Sequence, residues 1–433
     1  MSSAAEVLKL ANPHAVAAIA KAGESCAIVA SQDIVDERGV KLLARNQTVS
    51  TALQQRLLER KLQQPLEACL RAEDGVTTYQ LFEALTTFLD SDDPWAPLAR
   101  QSADALRHEV QHLPLHSVAQ LLLTTARATQ PARFDHAIRA MAVAGAMFAG
   151  EIDERYGLRL ALLGGLLHDI GEMYVPPQPL ESRHPLDLRD YRAMAVHPRV
   201  GEMVLGTLTD YPPALCRAIA EHHERLDGSG YPARRTREGL SVHGRLLAVV
   251  EAALGVMAAR EAPCRRADMA LRLVPGEFDP AWASRVGAAA ARAAEDTAAI
   301  VGAAARGVVG RVGELDRCML RGRSQAVSLV DGAPSPRVNE IAARALHLLD
   351  RLRDGWNSVG LWSPPGADAA PAELAEAVVA EQELAYRLQR LSRDCLWAEE
   401  GLQAEEAASL APLWACVLAE GPGDGAVETA QAA

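Results

Sequence analysis

Lysine all but vanishes after the first part of this sequence: Lys9, Lys21, Lys41 and Lys61 are its only lysines. Any phosphate held by a side-chain cation beyond Lys61 is therefore held by arginine, which can grip it with two parallel bonds. A positive balance is lacking too. The formal charge of −12 argues against a duplex nucleic-acid surface or an anionic-membrane surface. Cysteine is scattered: Cys26, Cys69, Cys216, Cys264, Cys318, Cys395 and Cys416 are odd in number and form no CxxC. Neither a disulfide framework nor a cysteine zinc site is suggested, and the expected compartment is the reducing cytoplasm. The opening MSSAAEVLKLANPH lacks a basic stretch followed by an apolar core, so no signal peptide is expected. No run of about 18 apolar residues occurs, so no membrane span is expected.

What is present is a long chain with substantial apolar content. Its 433 residues, 49% of them hydrophobic, allow two or three domains with their own cores. The runs SCAIVASQDIVD and GVKLLA, separated by DERG, read as strands about a hairpin turn. Ser50-Thr51 opens a helical pattern. From about residue 105 to 290 one helical period follows another, including LRDYRAMAVHPRVGEMVLGTL read as one segment, and strand signals are scarce. GAPSP (332–336) reads as a linker before further amphipathic helices, and GPGDGAVETAQAA as a disordered tail. The fold class is mainly α. The expected organisation is a small α+β domain and connecting helix over 1–104, a helical domain over 105–295, a helical extension over 296–420 and the tail over 421–433. The extension is expected to bind a protein partner, to form a homodimer or to cover the helical domain, and amphipathicity does not choose among these.

Ten of the twelve histidines lie between 108 and 243, and histidine is the commonest metal-ligating side chain. One cluster is HEVQH (108–112), which fits the HExxH of zinc proteases. Pro114 compromises the helix that motif needs, and no third ligand follows, so the motif reads as a solvated polar helix face, with the protease as the alternative. The second cluster is spread over several helices: His136, His168-Asp169, His197, His222-His223 and Glu251. Side chains from separate helices of a bundle can converge on metal ions, and imidazoles with carboxylates suit zinc, iron or manganese.

These residues carry a family resemblance. HDIG (168–171), VPPQPL (175–180), HPRVGEMVL (197–205), LSVHGRLLAVVEA (240–252) and GEFDP (276–280) stand in the order found in HD-GYP phosphodiesterases. HHERLDGSGYP (222–232) matches that family's HHExxDGxGYP at all eight defined positions. The chain thus resembles an HD-GYP phosphodiesterase, a branch of the HD hydrolases that opens cyclic di-GMP. The resemblance implies an HD-type helical bundle and a cyclic dinucleotide substrate cut to pGpG or GMP by a metal-bound hydroxide. It implies two divalent transition-metal ions, iron or manganese before zinc, nickel or cobalt. Their ligands would be His136, His168, Asp169, His197, His222, His223 and Glu251, with His168 and Asp169 central to catalysis. Substrate would meet Arg183, Arg225, Asp227, Gly228, Gly230, Tyr231, Pro232 and Arg245. Two positions depart from the pattern: Glu172 stands where the family has lysine, and Glu251 where it has aspartate. Glu172 would repel phosphate unless it pairs with an arginine or takes a metal. The site of a third metal's glutamate is Ala132, so two ions are expected. The alternative is a degenerate module that binds the nucleotide, or a protein, without turnover.

Overall fold

The structure, a computed structural model, describes residues 4–150, 154–177, 188–255, 262–293, 307–359 and 370–418. Arg183 and the expected tail over 421–433 lie outside these residues. The chain divides into two compact units, residues 1–181 with 193–251, and residues 182–192 with 252–433.

The first unit opens with helices α1 (Ala4–Leu8) and α2 (Pro13–Ala22). Strands β1 (Ile28–Ala30), β2 (Ile34–Val35) and β3 (Lys41–Leu43), helix α3 (Thr51–Leu58) and strand β4 (Leu70–Ala72) follow. The turn DERG does join a hairpin: Ile34 faces Leu43, and Gly39 takes φ 81° to reverse the chain. The run SCAIVASQDIVD is split, however. Its first half, β1, pairs instead with β4, Ile28 facing Ala72, a long-range pairing that local alternation cannot announce. Ile19, Ile28, Ile34, Leu57 and Leu62 are fully buried between these pieces.

Helices α4 (Thr78–Asp90), α5 (Ala96–Arg100), α6 (Ala103–Gln111), α7 (Ser117–Thr129), α8 (Pro131–Phe148) and α9 (Glu154–Leu167) come next. Helices α8 and α9 pack along one another. Gly165 permits this approach, since a Cβ there would lie 2.5 Å from the Ala140 carbonyl oxygen. A 3-10 turn (Ile170–Tyr174) leads to α10 (Leu188–Ala195), α11 (His197–Leu208), α12 (Pro213–Glu221) and α13 (Val242–Gly255). The segment read as one helix over 188–208 is therefore two, broken at Val196. Pro198 has no N–H for the Met194 carbonyl, and His197 Nδ1 meets that oxygen at 2.8 Å instead.

The second unit contains α14 (Pro263–Arg272), α15 (Pro280–Arg292), α16 (Val308–Gly332), α17 (Pro336–Ser358), α18 (Pro371–Ala398) and α19 (Ala404–Leu418). Met319, Leu349, Leu384 and Leu413 form part of its core. Asp279 of GEFDP caps α15, accepting from Ala281 N at 3.0 Å. Among the described residues no helix is long and apolar enough to cross a membrane.

Candidate metal centre

Five stretches deliver the clustered histidines and acids. His136 comes from α8, His168 and Asp169 from the end of α9, His197 from the start of α11, His222 and His223 from just past α12, and Glu251 from α13. All but His136 and Asp169 are buried, although burying a polar group is unfavourable unless it is paired or coordinated.

Three of the histidines are oriented by the backbone. Nδ1 of His168 lies 2.8 Å from the Gly165 carbonyl oxygen, and Nδ1 of His222 lies 2.6 Å from that of Ile219. His197 makes the third such contact, with Met194. A carbonyl only accepts, so each Nδ1 carries a proton and each Nε2 is the nitrogen turned inward. The inward nitrogens meet: His197 Nε2 lies 3.0 Å from His222 Nε2, and His136 Nε2 lies 3.3 Å from His168 Nε2. In neutral rings, the form that binds metal, two lone pairs at such distances repel unless a proton or a metal ion lies between them. Nitrogens bound to one metal at about 2.0–2.1 Å stand about 3.0–3.4 Å apart, so the donor set fits metal ions.

Asp169 divides the set in two. Its Oδ2 lies 3.0 Å from His168 Nε2 and 3.5 Å from His136 Nε2. Its Oδ1 lies 3.4 Å from Nε2 of both His197 and His222. Glu251 Oε2 joins the first side, 3.3 Å from His168 Nε2 and 3.5 Å from His136 Nε2. Two groups able to hold an ion result, Asp169 with His197, His222 and His223, and His136, His168 and Asp169 with Glu251. The longer glutamate at 251 thus reaches the cluster.

The electrostatics follow from burial working against these contacts. Burial acts to raise Asp169 and Glu251, but their histidine partners outweigh it and hold both carboxyls well below the usual range. Burial acts to lower His168, yet Asp169 and Glu251 hold it well above its ordinary value. Asp169 likewise holds His197 up against burial. For His222 and His223 burial prevails and the pKa falls, His223 well below the usual imidazole value. A neutral imidazole is the form that binds metal.

The HHERLDGSGYP segment folds beside this cluster. Asp227 Oδ1 accepts from Ser229 N at 3.0 Å, and Gly228 takes φ 77°, closing the turn. Tyr231 stacks on His223 with ring centroids 4.5 Å apart, and its N–H reaches the His223 carbonyl at 3.1 Å. Gly230 is buried against Arg225, and Pro232 follows Tyr231 through a cis peptide bond. Arg225 is buried and donates from Nη1 to the Glu224 carbonyl at 2.8 Å. Arg245 is half-buried on α13.

Sequence reasoning overlooked the residues that pin this segment. Glu224 accepts from Ala233 N at 2.6 Å and Arg235 N at 2.9 Å. Glu221 accepts from Arg235 Nη1 at 2.8 Å and from Ser241 N at 2.9 Å. Glu224 is a defined position of the motif, which was the available signal; Glu221 carried none. Of the two expectations for Glu172, the arginine partner is the one found: its Oε2 lies 3.0 Å from Arg133 Nη1.

The HEVQH stretch stands apart. His108 and His112 are on the surface, α6 ends at Gln111, and Glu109 is buried against Arg159 Nε at 2.7 Å. The glutamate is thus an interior ion-pair member and not part of the solvated face expected of it. Among the described residues these three form no metal-holding group.

Comparison with known proteins concurs with the geometry. The HD domain family matches residues 120–268. The chain is 30% identical over 118 residues to the cyclic di-GMP phosphodiesterase response regulator RpfG of Xanthomonas campestris, 26% of this chain and 31% of that protein. It is 35% identical over 94 residues to a cyclic di-GMP phosphodiesterase of Pseudomonas aeruginosa, 22% of this chain and 23% of that one. A 3′3′-cGAMP-specific phosphodiesterase of Vibrio cholerae is 24% identical over 201 residues, 43% of this chain and 46% of that protein. The chain thus spans less than half the length of these relatives. No solved structure is significantly similar to it.

Proposed function

Since residues 120–268 form an HD domain of the HD-GYP kind, we propose that the chain is a metal-dependent phosphodiesterase acting on cyclic dinucleotides. Cyclic di-GMP is the substrate we assign, cut to pGpG or GMP. The observation that carries this reading is the pair of Asp169 oxygens, each turned to its own group of inward Nε2 lone pairs. His136, His168, Asp169 and Glu251 would hold one divalent ion, and Asp169, His197, His222 and His223 the other, with iron or manganese suited to such mixed ligands. When bound, such a pair supplies Lewis acidity, lowering the pKa of water towards neutrality and neutralising phosphate charge.

The chain's own residues do the rest. The three Nδ1–carbonyl contacts fix ring orientation before any ligand arrives, which is the preorganisation a site of this kind needs. Tyr231 and Pro232 wall the side of His223, and Glu224 and Glu221 anchor that wall. Gly228 and Gly230 keep the turn compact so that a nucleotide can approach. Arg225 and Arg245 are the arginines we assign to the substrate's second phosphate, together with Arg183. Two features support turnover over binding alone: Glu251 reaches the cluster, and Glu172 has an arginine partner.

The test is chromatography of cyclic di-GMP and 3′3′-cGAMP after incubation with anaerobically purified, manganese- or iron(II)-loaded protein. Linear pGpG is expected to appear first, and His197→Ala should lower its rate by at least about a thousandfold, the scale of losing a metal's contribution. Intact nucleotide that binds to fully metal-loaded protein and is never cut would reduce the chain to a binding module.

A further inference from the structure

We propose that Arg133 is a further cation that receives a substrate phosphate at this centre, beside the metal ions, and that Glu172 positions it; the proposal rests on the phosphodiesterase reading above. Arg133 lies three residues before His136 on α8, so the two share a helix face. Glu172 lies three residues after Asp169 in the 3-10 turn, where side chains at that spacing eclipse. The pair therefore sits where His136 and Asp169 enter the site. Arg133, Asp169 and Glu172 stand at one side of a cavity of about 40 Å³ whose other walls are mostly apolar, Leu123, Phe134 and Leu166 among them.

Exposure orders the pair. The Glu172 side chain is 10% exposed and that of Arg133 23%, with Nη1, the nitrogen facing Glu172, buried, so Arg133 is the outer member and its remaining edge is the one an incoming ligand can meet. Among the described residues, Glu172 is the one carboxylate within 4.0 Å of that guanidinium, which has five N–H donors in a fork suited to phosphate oxygens. Glu172 faces the Nη1 edge of the fork at 3.0 Å and holds it by charge.

Steady-state kinetics with cyclic di-GMP and metal analysis of Arg133→Ala, Arg133→Lys and Glu172→Gln test this. Arg133→Ala is expected to raise KM on the order of 10- to 100-fold, the range for a hydrogen bond to a charged group, with kcat within about threefold and both metals retained. Arg133→Lys should recover most of the loss, and Glu172→Gln, which removes the charge that holds the guanidinium, should raise KM by less than Arg133→Ala does, with both metals retained; an unchanged KM in Glu172→Gln removes its positioning role. An Arg133→Ala KM within about twofold of wild type, with metals intact, overturns the proposal in favour of a packing pair. If Arg133→Ala does not fold, the same criterion applies to the near-isosteric Arg133→Met. Calorimetric binding of a slowly cleaved phosphorothioate analogue of cyclic di-GMP separates the two readings. Wild type that binds it through Arg133 without cutting cyclic di-GMP sinks only the enzyme; wild type that cuts with Arg133 irrelevant sinks only this inference.

Discussion

At the scale of single residues, proton placement organises the site. His168, His197 and His222 each commit Nδ1 to a carbonyl three residues back, so the lone pairs are aimed by secondary structure. The shared position of Asp169 gives a graded expectation. Replacing His136 with Ala should weaken one ion and spare the other, leaving about one per chain by elemental analysis; loss of neither would contradict the two-group division. A second residue-scale prediction concerns Glu67, which accepts from the Tyr174 hydroxyl at 3.0 Å. Burial holds this carboxyl above its ordinary range, so the folded state binds the proton more tightly than the unfolded state. Its contribution is fully present below the usual carboxylate pKa and is lost as pH rises through the folded value. Glu67→Gln should therefore gain thermal stability relative to wild type as pH rises above about 4, and parallel melting curves would refute this. Much of the candidate centre was legible: the seven side chains that cluster stood in recognisable motifs. The Arg133–Glu172 pair was not, because it joins two segments whose separation along the chain hides their proximity.

At the scale of elements, close backbone approach decides where the clustered side chains stand. Gly171 lets the 3-10 turn press against α11: a Cβ there would run into the His197 carbonyl oxygen and lie 2.7 Å from Gly201 N. Gly171→Ala should push α11 outward, lowering stability by about 1–3 kcal/mol, the usual range for overpacking, and weakening the ion shared by Asp169 and His197. Thermal melts and metal titration read the two effects; an unperturbed affinity would count against this placement. The helices themselves were readable from their period, and so was the hairpin at DERG. The break at Val196 was written in His-Pro but overlooked, since periodicity runs through a one-residue interruption. The β1–β4 pairing had no local signal, because its register is set by partners about forty residues apart in the chain.

At the scale of the whole molecule, the two compact units rest on different chemistry. In the second unit the largely buried Arg387 lies between Glu383 and the buried Glu277, with Glu383 at 2.6 Å from its Nε. Removing one member of a buried ion group leaves charge stranded, at about 3–5 kcal/mol. Arg387→Ala should thus speed amide exchange in α14 and α18, and unchanged protection in those helices would refute the assignment. The sequence announced helices here but not this network, for charged residues on amphipathic helices look alike whether they face water or one another. For the first unit everything returns to Asp169. Elemental analysis of anaerobically purified wild type and Asp169→Ala is the most direct measurement: about two transition-metal ions per chain are predicted in the former and none in the latter, whereas ions that survive the loss of Asp169, or depart instead with His108 and His112, would contradict the account.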